Sequence, residues 1–213
     1  ALELIYFKIA DRFNIIDKPN ERSSHTQITL RGGGVIFYIG CLIYFLWSGF
    51  QYPFFFLGIT LITIISFLDD ILTLSNKIRL AIHIISVLLL FYQINLFGFP
   101  MYITAIALIV TIGTINAYNF MDGINGITAA YSVAVLGLLA ITNHYIHFID
   151  DLLLYVSILA TVVFGFFNFR NKAKCFAGDV GSVSMAFLVV FLIAKLIVTT
   201  QNPIFILYLL IYG

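Results

Sequence analysis

Four short stretches hold most of the residues that could do chemistry. The first is Asp69-Asp70, closing an apolar run and followed by Lys77 and Arg79. Adjacent carboxylates there suit a divalent metal or a general base. Solvated at an interface, or paired with Lys77 and Arg79, they need neither. A carboxylate at the bilayer centre costs about 2.5–3.5 kcal/mol, and an anion at a helix C-terminus costs a further ~0.3–1 kcal/mol. A cation relieves both. The second stretch runs from Asn116 through Asn119, Asp122 and Gly123 to Asn125 and Gly126. Asn116 and Asn119 share a helix face that leads to Asp122. Their oxygens suit Mg²⁺ or sugar hydroxyls, and equally a turn with a helix cap before Ile127. An EF-hand loop does not fit, because the later bidentate Glu is missing.

The third stretch is Lys172, Lys174, then Phe176, Gly178, Asp179, Gly181 and Ser182. A glycine-flanked helix start with nearby lysines is a phosphate site. An ordinary cap by Asp179 or Ser182, with lysines among lipid head groups, reads equally well. The fourth is Asp17, Pro19, Asn20, Arg22, Ser23, Ser24 and His25, then Arg31-Gly32-Gly33-Gly34. Arginine binds phosphate in a bidentate manner, and glycines admit close backbone approach. A basic loop with glycines for helix packing would look the same, and His25 by itself reads as a surface histidine.

The rest of the chain says what must position these residues. Of 213 residues, 62% are hydrophobic and 10% charged, with net charge +1. Soluble domains lie near 45–50% and about 25%. This excludes a soluble enzyme, a disordered tail and a nucleic-acid-binding polycation. Residues 32–68 and 80–121 carry no charge, and a single helix over the first run would be about 55 Å long, against a hydrocarbon core of ~30 Å. The runs therefore turn, at residues 48–53 and 98–100. The spans fall at 35–50, 54–68, 81–97, 101–116, 127–142, 152–169 and 183–200, with partial spans at 1–10 and 204–213. Continuous apolarity rather than period-two alternation favours helices over a β-barrel. The expected fold is all-α: one polytopic membrane domain over 1–213, with seven complete transmembrane helices and partial helices at both ends. Both ends of the sequence lie inside apolar stretches, as expected of an internal fragment. Cys41 and Cys175 give no disulfide framework, and His144 and His147 lie in a chemically plain loop.

Loops alternate sides, and one set holds nearly every cation: Arg12, Lys18, Arg22, Arg31, Lys77, Arg79, Arg170, Lys172 and Lys174. The other set has no Lys or Arg and carries Asp150 and Asp151. Lys195 is the exception, within a span. The positive-inside rule makes the first set cytoplasmic. All four chemical stretches fall on that face. Four carboxylates interleaved with Arg and Lys suit a Mg²⁺-diphosphate site beside lipid. An ion-coupled transporter, the competing reading, would put its carboxylates near the midplane.

Taken together, these strings resemble the polyprenyl-phosphate N-acetylhexosamine-1-phosphate transferases. That family includes phospho-N-acetylmuramoyl-pentapeptide transferase and the undecaprenyl-phosphate N-acetylglucosamine-1-phosphate transferases. The matching strings are the one ending in His25, Arg31 to Gly34, Asp69-Asp70 with Lys77 and Arg79, Asn116 to Gly126, and Phe176 to Ser182, in the family's order. The Arg-Ser-Ser-His and Arg-Gly-Gly-Gly forms look more like the N-acetylglucosamine branch. A CDP-alcohol phosphatidyltransferase is excluded, since no Arg follows Asp122-Gly123 at the required place.

The resemblance implies a reaction at the cytoplasmic face of the bacterial inner membrane. A UDP-N-acetylhexosamine gives its sugar-1-phosphate to undecaprenyl phosphate and UMP leaves, starting O-antigen, teichoic acid or related envelope glycans. It implies Mg²⁺ (or Mn²⁺). It further implies Asp69 as base or acceptor-orienting residue with Asp70 beside it, Asp179 as metal ligand, and Asn119 or Asp122 near the metal or nucleotide. Lys77 and Arg79 would hold phosphate, and Asn116, Asn125, His25, Arg31 and Gly178 would line the substrates. A homodimer is a further expectation. Two departures stand out: Gln27 to Leu30 replaces the usual prolines, and Arg170-Asn171-Lys172 replaces a proline-rich step. Family members continue with further spans and a histidine-containing loop, so this stretch is expected to lack part of the nucleotide-sugar site.

Overall fold

The computed structural model describes residues 1–17, 28–72, 74–170 and 172–211. His25 lies outside the described residues. The helices are α1 (Leu2–Arg12), α2 (Val35–Trp47), α3 (Pro53–Leu72), α4 (Asn76–Gln93), α5 (Met101–Met121), α6 (Ile127–Ile146), α7 (Asp151–Asn168) and α8 (Gly178–Thr200). A 3-10 turn spans Leu96–Gly98, and a 3-10 helix closes the chain at Pro203–Ile211.

Five helices, α3, α5, α6, α7 and α8, are long and apolar enough to cross a membrane. The count of seven is not reached for two local reasons. Helix α2 has only 13 residues. Helix α4 opens on Asn76, Lys77 and Arg79, which dilute its apolar stretch. The helices also run further at the polar end than hydropathy suggests: α3 continues to Leu72, α5 to Met121, and α8 begins at Gly178. Asp69, Asp70, Asn116, Asn119 and Asp179 therefore sit on terminal helical turns, where a rigid backbone aims them. Among the described residues, the departure from an all-helical chain is a ribbon of β1 (Ile16–Asp17) and β2 (Thr29–Leu30), paired antiparallel. Leu30 also bridges Cys175.

Helix α8 is the central post. It is apolar all round, as a helix enclosed by others should be, and 83% of its most apolar window is buried. Helices α2, α3, α5 and α6 pack on it. Phe55 of α3 stacks on Phe191 with ring centroids 3.9 Å apart, and lies beside Phe187. At the other end, Gly34 and Gly181 let α2 and α8 touch backbone to backbone, and a Cβ on Gly34 would overlap the Gly181 Cα. This crossing brings the Arg31–Gly34 segment to the first turn of α8.

Candidate active site

Every helix leaves its first backbone N–H groups without intrahelical partners. Asp70 supplies partners for α8. Its Oδ1 accepts the Asp179 N–H and its Oδ2 the Val180 N–H, each at 3.1 Å. Asp70 Oδ1 also lies 2.9 Å from Arg31 Nε, and the carboxylate is 0% exposed. Anion, helix dipole and guanidinium are mutually favourable here. Gly178 makes the approach possible. Its φ is +71°, and a Cβ there would stand 2.7 Å from Asp70 Oδ2 and 3.0 Å from the Gly32 nitrogen.

Asp69, the adjacent residue, looks the other way. Its Oδ1 accepts the Leu74 N–H at 2.6 Å, closing the turn between α3 and α4. Its Oδ2 meets Arg79 Nη1 at 2.7 Å, while Arg79 Nη2 reaches Asp179 Oδ2 at 3.1 Å. Arg31 Nη2 stands 3.7 Å from the other Asp179 oxygen. Asp69, Asp70 and Asp179 thus share two guanidiniums, three carboxyls to two cations.

Asp122 follows α5 and accepts a short hydrogen bond from Thr128 Oγ1. Burial pushes its carboxyl up to about 7; the Thr128 bond opposes this, and the Asp179 and Asp70 carboxylates add to it. Asn119 Oδ1 accepts from Ser182 Oγ at 2.8 Å, tying α5 to the first turn of α8.

The remaining expected residues stand apart from this cluster. Asn116 is exposed and bonds back to the Ile112 carbonyl at 2.9 Å. Lys77 is exposed and makes no ion pair among the described residues. Asn125 Nδ2 donates to the Arg170 carbonyl at 3.1 Å, fastening its loop to the end of α7.

Two residues escaped the sequence reading. Asn168, buried, accepts the Gly126 N–H at 2.6 Å and donates to the Cys175 carbonyl at 2.8 Å, so it clamps the Asp122 loop to the segment before α8. A lone amide closing an apolar span was the available signal. Tyr6 of α1 donates from its hydroxyl to the Arg31 carbonyl at 2.6 Å, and nothing in its local sequence marks it. Cys41 and Cys175 are free, as expected, and both are buried.

The donor set fits a hard divalent cation. Among the described residues no group of three or more His, Cys, Asp or Glu forms a ready cage. Mg²⁺, however, is usually held by one or two carboxylates together with substrate phosphates. Asp69 and Asp179 present oxygen donors side by side, both on Arg79.

A bundle of apolar helices with three carboxylates and two arginines gathered at one end defines a helical membrane protein with an ionic site at the ends of its spans. Residues 52–197 match glycosyl transferase family 4, and the chain belongs to that family. It is 28% identical over 200 residues to a probable undecaprenyl-phosphate N-acetylglucosaminyl 1-phosphate transferase of Bacillus subtilis, covering 84% of this chain and 55% of that protein. It is 26% identical over 217 residues to the undecaprenyl-phosphate alpha-N-acetylglucosaminyl 1-phosphate transferase of Yersinia pestis, covering 92% and 60%. A phospho-N-acetylmuramoyl-pentapeptide-transferase of Streptococcus uberis is 33% identical over 147 residues, covering 57% and 42%. The chain therefore spans between 42% and 60% of the length of these relatives.

Proposed function

We propose that the protein transfers N-acetylhexosamine-1-phosphate from a UDP-sugar to undecaprenyl phosphate, releasing UMP. The observation that carries this reading is the ionic cluster of Asp69, Asp70 and Asp179 with Arg31 and Arg79, set at one end of an apolar bundle. Family membership supports it, and two relatives whose names carry undecaprenyl phosphate support a polyprenyl-phosphate acceptor. The N-acetylglucosamine branch is favoured because those relatives match over more of the chain. An ion-coupled transporter is disfavoured, since these carboxylates gather at a helix-end cluster rather than at mid-span.

The reaction needs little covalent help from the protein. An oxygen of the acceptor phosphate attacks the sugar-bearing phosphorus of the UDP-sugar. The bond from that phosphorus to the bridging oxygen breaks, and UMP leaves with the electron pair. Catalysis is then positioning and charge stabilisation. Arg31 and Arg79 exchange part of their carboxylate contacts for phosphate oxygens. Asp69, on the turn before α4, orients the acceptor. Asp70 fixes α8 and Arg31 and thereby sets where Asp179 points. Asp122, with Asn119 nearby, faces the nucleotide side. Asp179 and Asp69 would hold Mg²⁺ (or Mn²⁺), which when bound neutralises the diphosphate.

In this reading the bundle crosses the bacterial inner membrane with α2 and α4 also spanning, giving seven spans. The basic loops support a site at the cytoplasmic face. UMP release from a panel of UDP-N-acetylhexosamines, with undecaprenyl phosphate, Mg²⁺ and the full-length protein, is the test. Lipid-dependent release that Asp69→Asn and Asp179→Asn abolish is expected. No release with any donor from well-folded protein would overturn the assignment.

A further inference from the structure

We propose that the groove between α6 and α7 binds an anionic phospholipid, with its acyl chain along Ala130, Val133 and Val162 and its phosphate on Arg170. The inference stands whether or not the transferase reading holds.

The groove has a volume of about 570 Å³ and lies at the same end of the bundle as Asp122. Its origin is local. Gly165 and Ala129 bring the two helices together, and a Cβ on Gly165 would lie 3.2 Å from that of Ala129. Ala130 is too small to fill the space beside this crossing. Phe166 and Phe169 stand as walls, 64% and 65% exposed.

What occupies the groove follows from its mouth. Arg170 Nε donates to the Phe166 carbonyl at 3.0 Å, and its guanidinium carbon lies 4.7 Å from the Phe166 ring centroid. The side chain is thus held in place, while its two Nη groups have no partner among the described residues. A fixed, unoccupied guanidinium fork matches a phosphate in geometry and charge. Lys174, though exposed, lines a separate hollow with Phe7, Lys8 and Asp11, so Arg170 is the cation at this mouth. A zwitterionic head group would carry its own cation towards Arg170, so an anionic one is preferred. A second copy of the chain related by a twofold axis would set this cation against its own copy, which disfavours a dimer through this face.

The groove is mechanically joined to the ionic site. Phe169 packs against Gly126, where a Cβ would overlap its ring. Asn125 holds the Arg170 carbonyl at 3.1 Å. A lipid seated on Arg170 therefore braces the loop that carries Asp122.

The test is lipid retention by the full-length protein, equilibrated in equimolar phosphatidylglycerol and phosphatidylcholine vesicles, extracted gently and weighed intact by mass spectrometry. Phosphatidylglycerol should be retained over phosphatidylcholine by about fivefold, as expected for one interfacial cation. Arg170→Gln should abolish the preference, and Ala130→Phe, which fills the groove, should displace the lipid. In thermal unfolding, phosphatidylglycerol should raise the midpoint of the parent but not of Arg170→Gln. Equal retention of both lipids, or a preference that survives both substitutions, overturns the proposal. So does a dimer that Ala130→Phe dissociates, because a second copy would then be the occupant.

Discussion

Asp70 accepts the backbone N–H of Val180 at 3.1 Å across 110 positions of sequence, and with the Asp179 N–H it caps a helix to which it does not belong. Its neighbour Asp69 has the same side chain and engages Arg79 and the α3–α4 turn instead. The Asp-Asp pair thus divides into one carboxylate that holds the start of α8 and one that holds Arg79 and the α3–α4 turn.

Asp70→Asn should accordingly lower stability. It weakens two backbone hydrogen bonds and an Arg31 contact in a fully buried place, and bonds to a charged group contribute about 1.5–3 kcal/mol each. Asp69→Asn should abolish transfer with a much smaller fall in the unfolding midpoint. Thermal unfolding and UMP release measured side by side separate the two. Equal midpoints for both variants would remove the distinction drawn here.

Gly178→Ala should destabilise the protein by more than about 1 kcal/mol, since its φ of +71° disfavours any side chain and the new Cβ would meet Asp70. Gly113→Ala is the matched control on α5. A Cβ there meets nothing within 4 Å, so helix propensity alone should stabilise it by up to about 1 kcal/mol. Denaturation midpoints of the two variants should move in opposite directions.

The raised Asp122 carboxyl carries a pH signature. Its folded value, about 7, lies above the ordinary carboxylate value. The folded state therefore binds more protons than the unfolded state between about pH 4 and pH 7, and stability falls as pH rises through that window. The parent should unfold at a lower temperature at about pH 8 than at about pH 5.5. Asp122→Asn should reduce this slope, leaving the share of Glu3, whose carboxyl burial also pushes up to about 7. A slope unchanged by the substitution would assign it to another group.

Asn168→Ala should release the clamp between the Asp122 loop and the segment before α8. Two buried hydrogen bonds are lost, and each partner left unsatisfied costs about 1–3 kcal/mol. Hydrogen exchange at the Gly126 amide should accelerate by at least about tenfold. Protection equal to the parent's would mean that other contacts hold this loop.

Much of this protein was legible in its sequence. The apolar runs identified helices because a chain in lipid must satisfy its own backbone, and the resemblance on the Asp and Gly strings led to the family. Asp69, Asp70, Asp179, Arg31 and Arg79 converge as one cluster. Other features were decided by tertiary structure. Hydropathy ends a span where polar residues begin, whereas the backbone continues, so Asp69 and Asp179 turned out to sit on helices rather than in loops. The side chains of Asn116 and Lys77 face away, because their direction depends on helix rotation against neighbours. The contrast between Asp69 and Asp70 has the same origin. Two identical adjacent residues carry no local signal of difference. Only the arrival of the α8 N-terminus beside one of them, allowed by close glycine contacts at Gly34, Gly178 and Gly181, assigns their separate tasks.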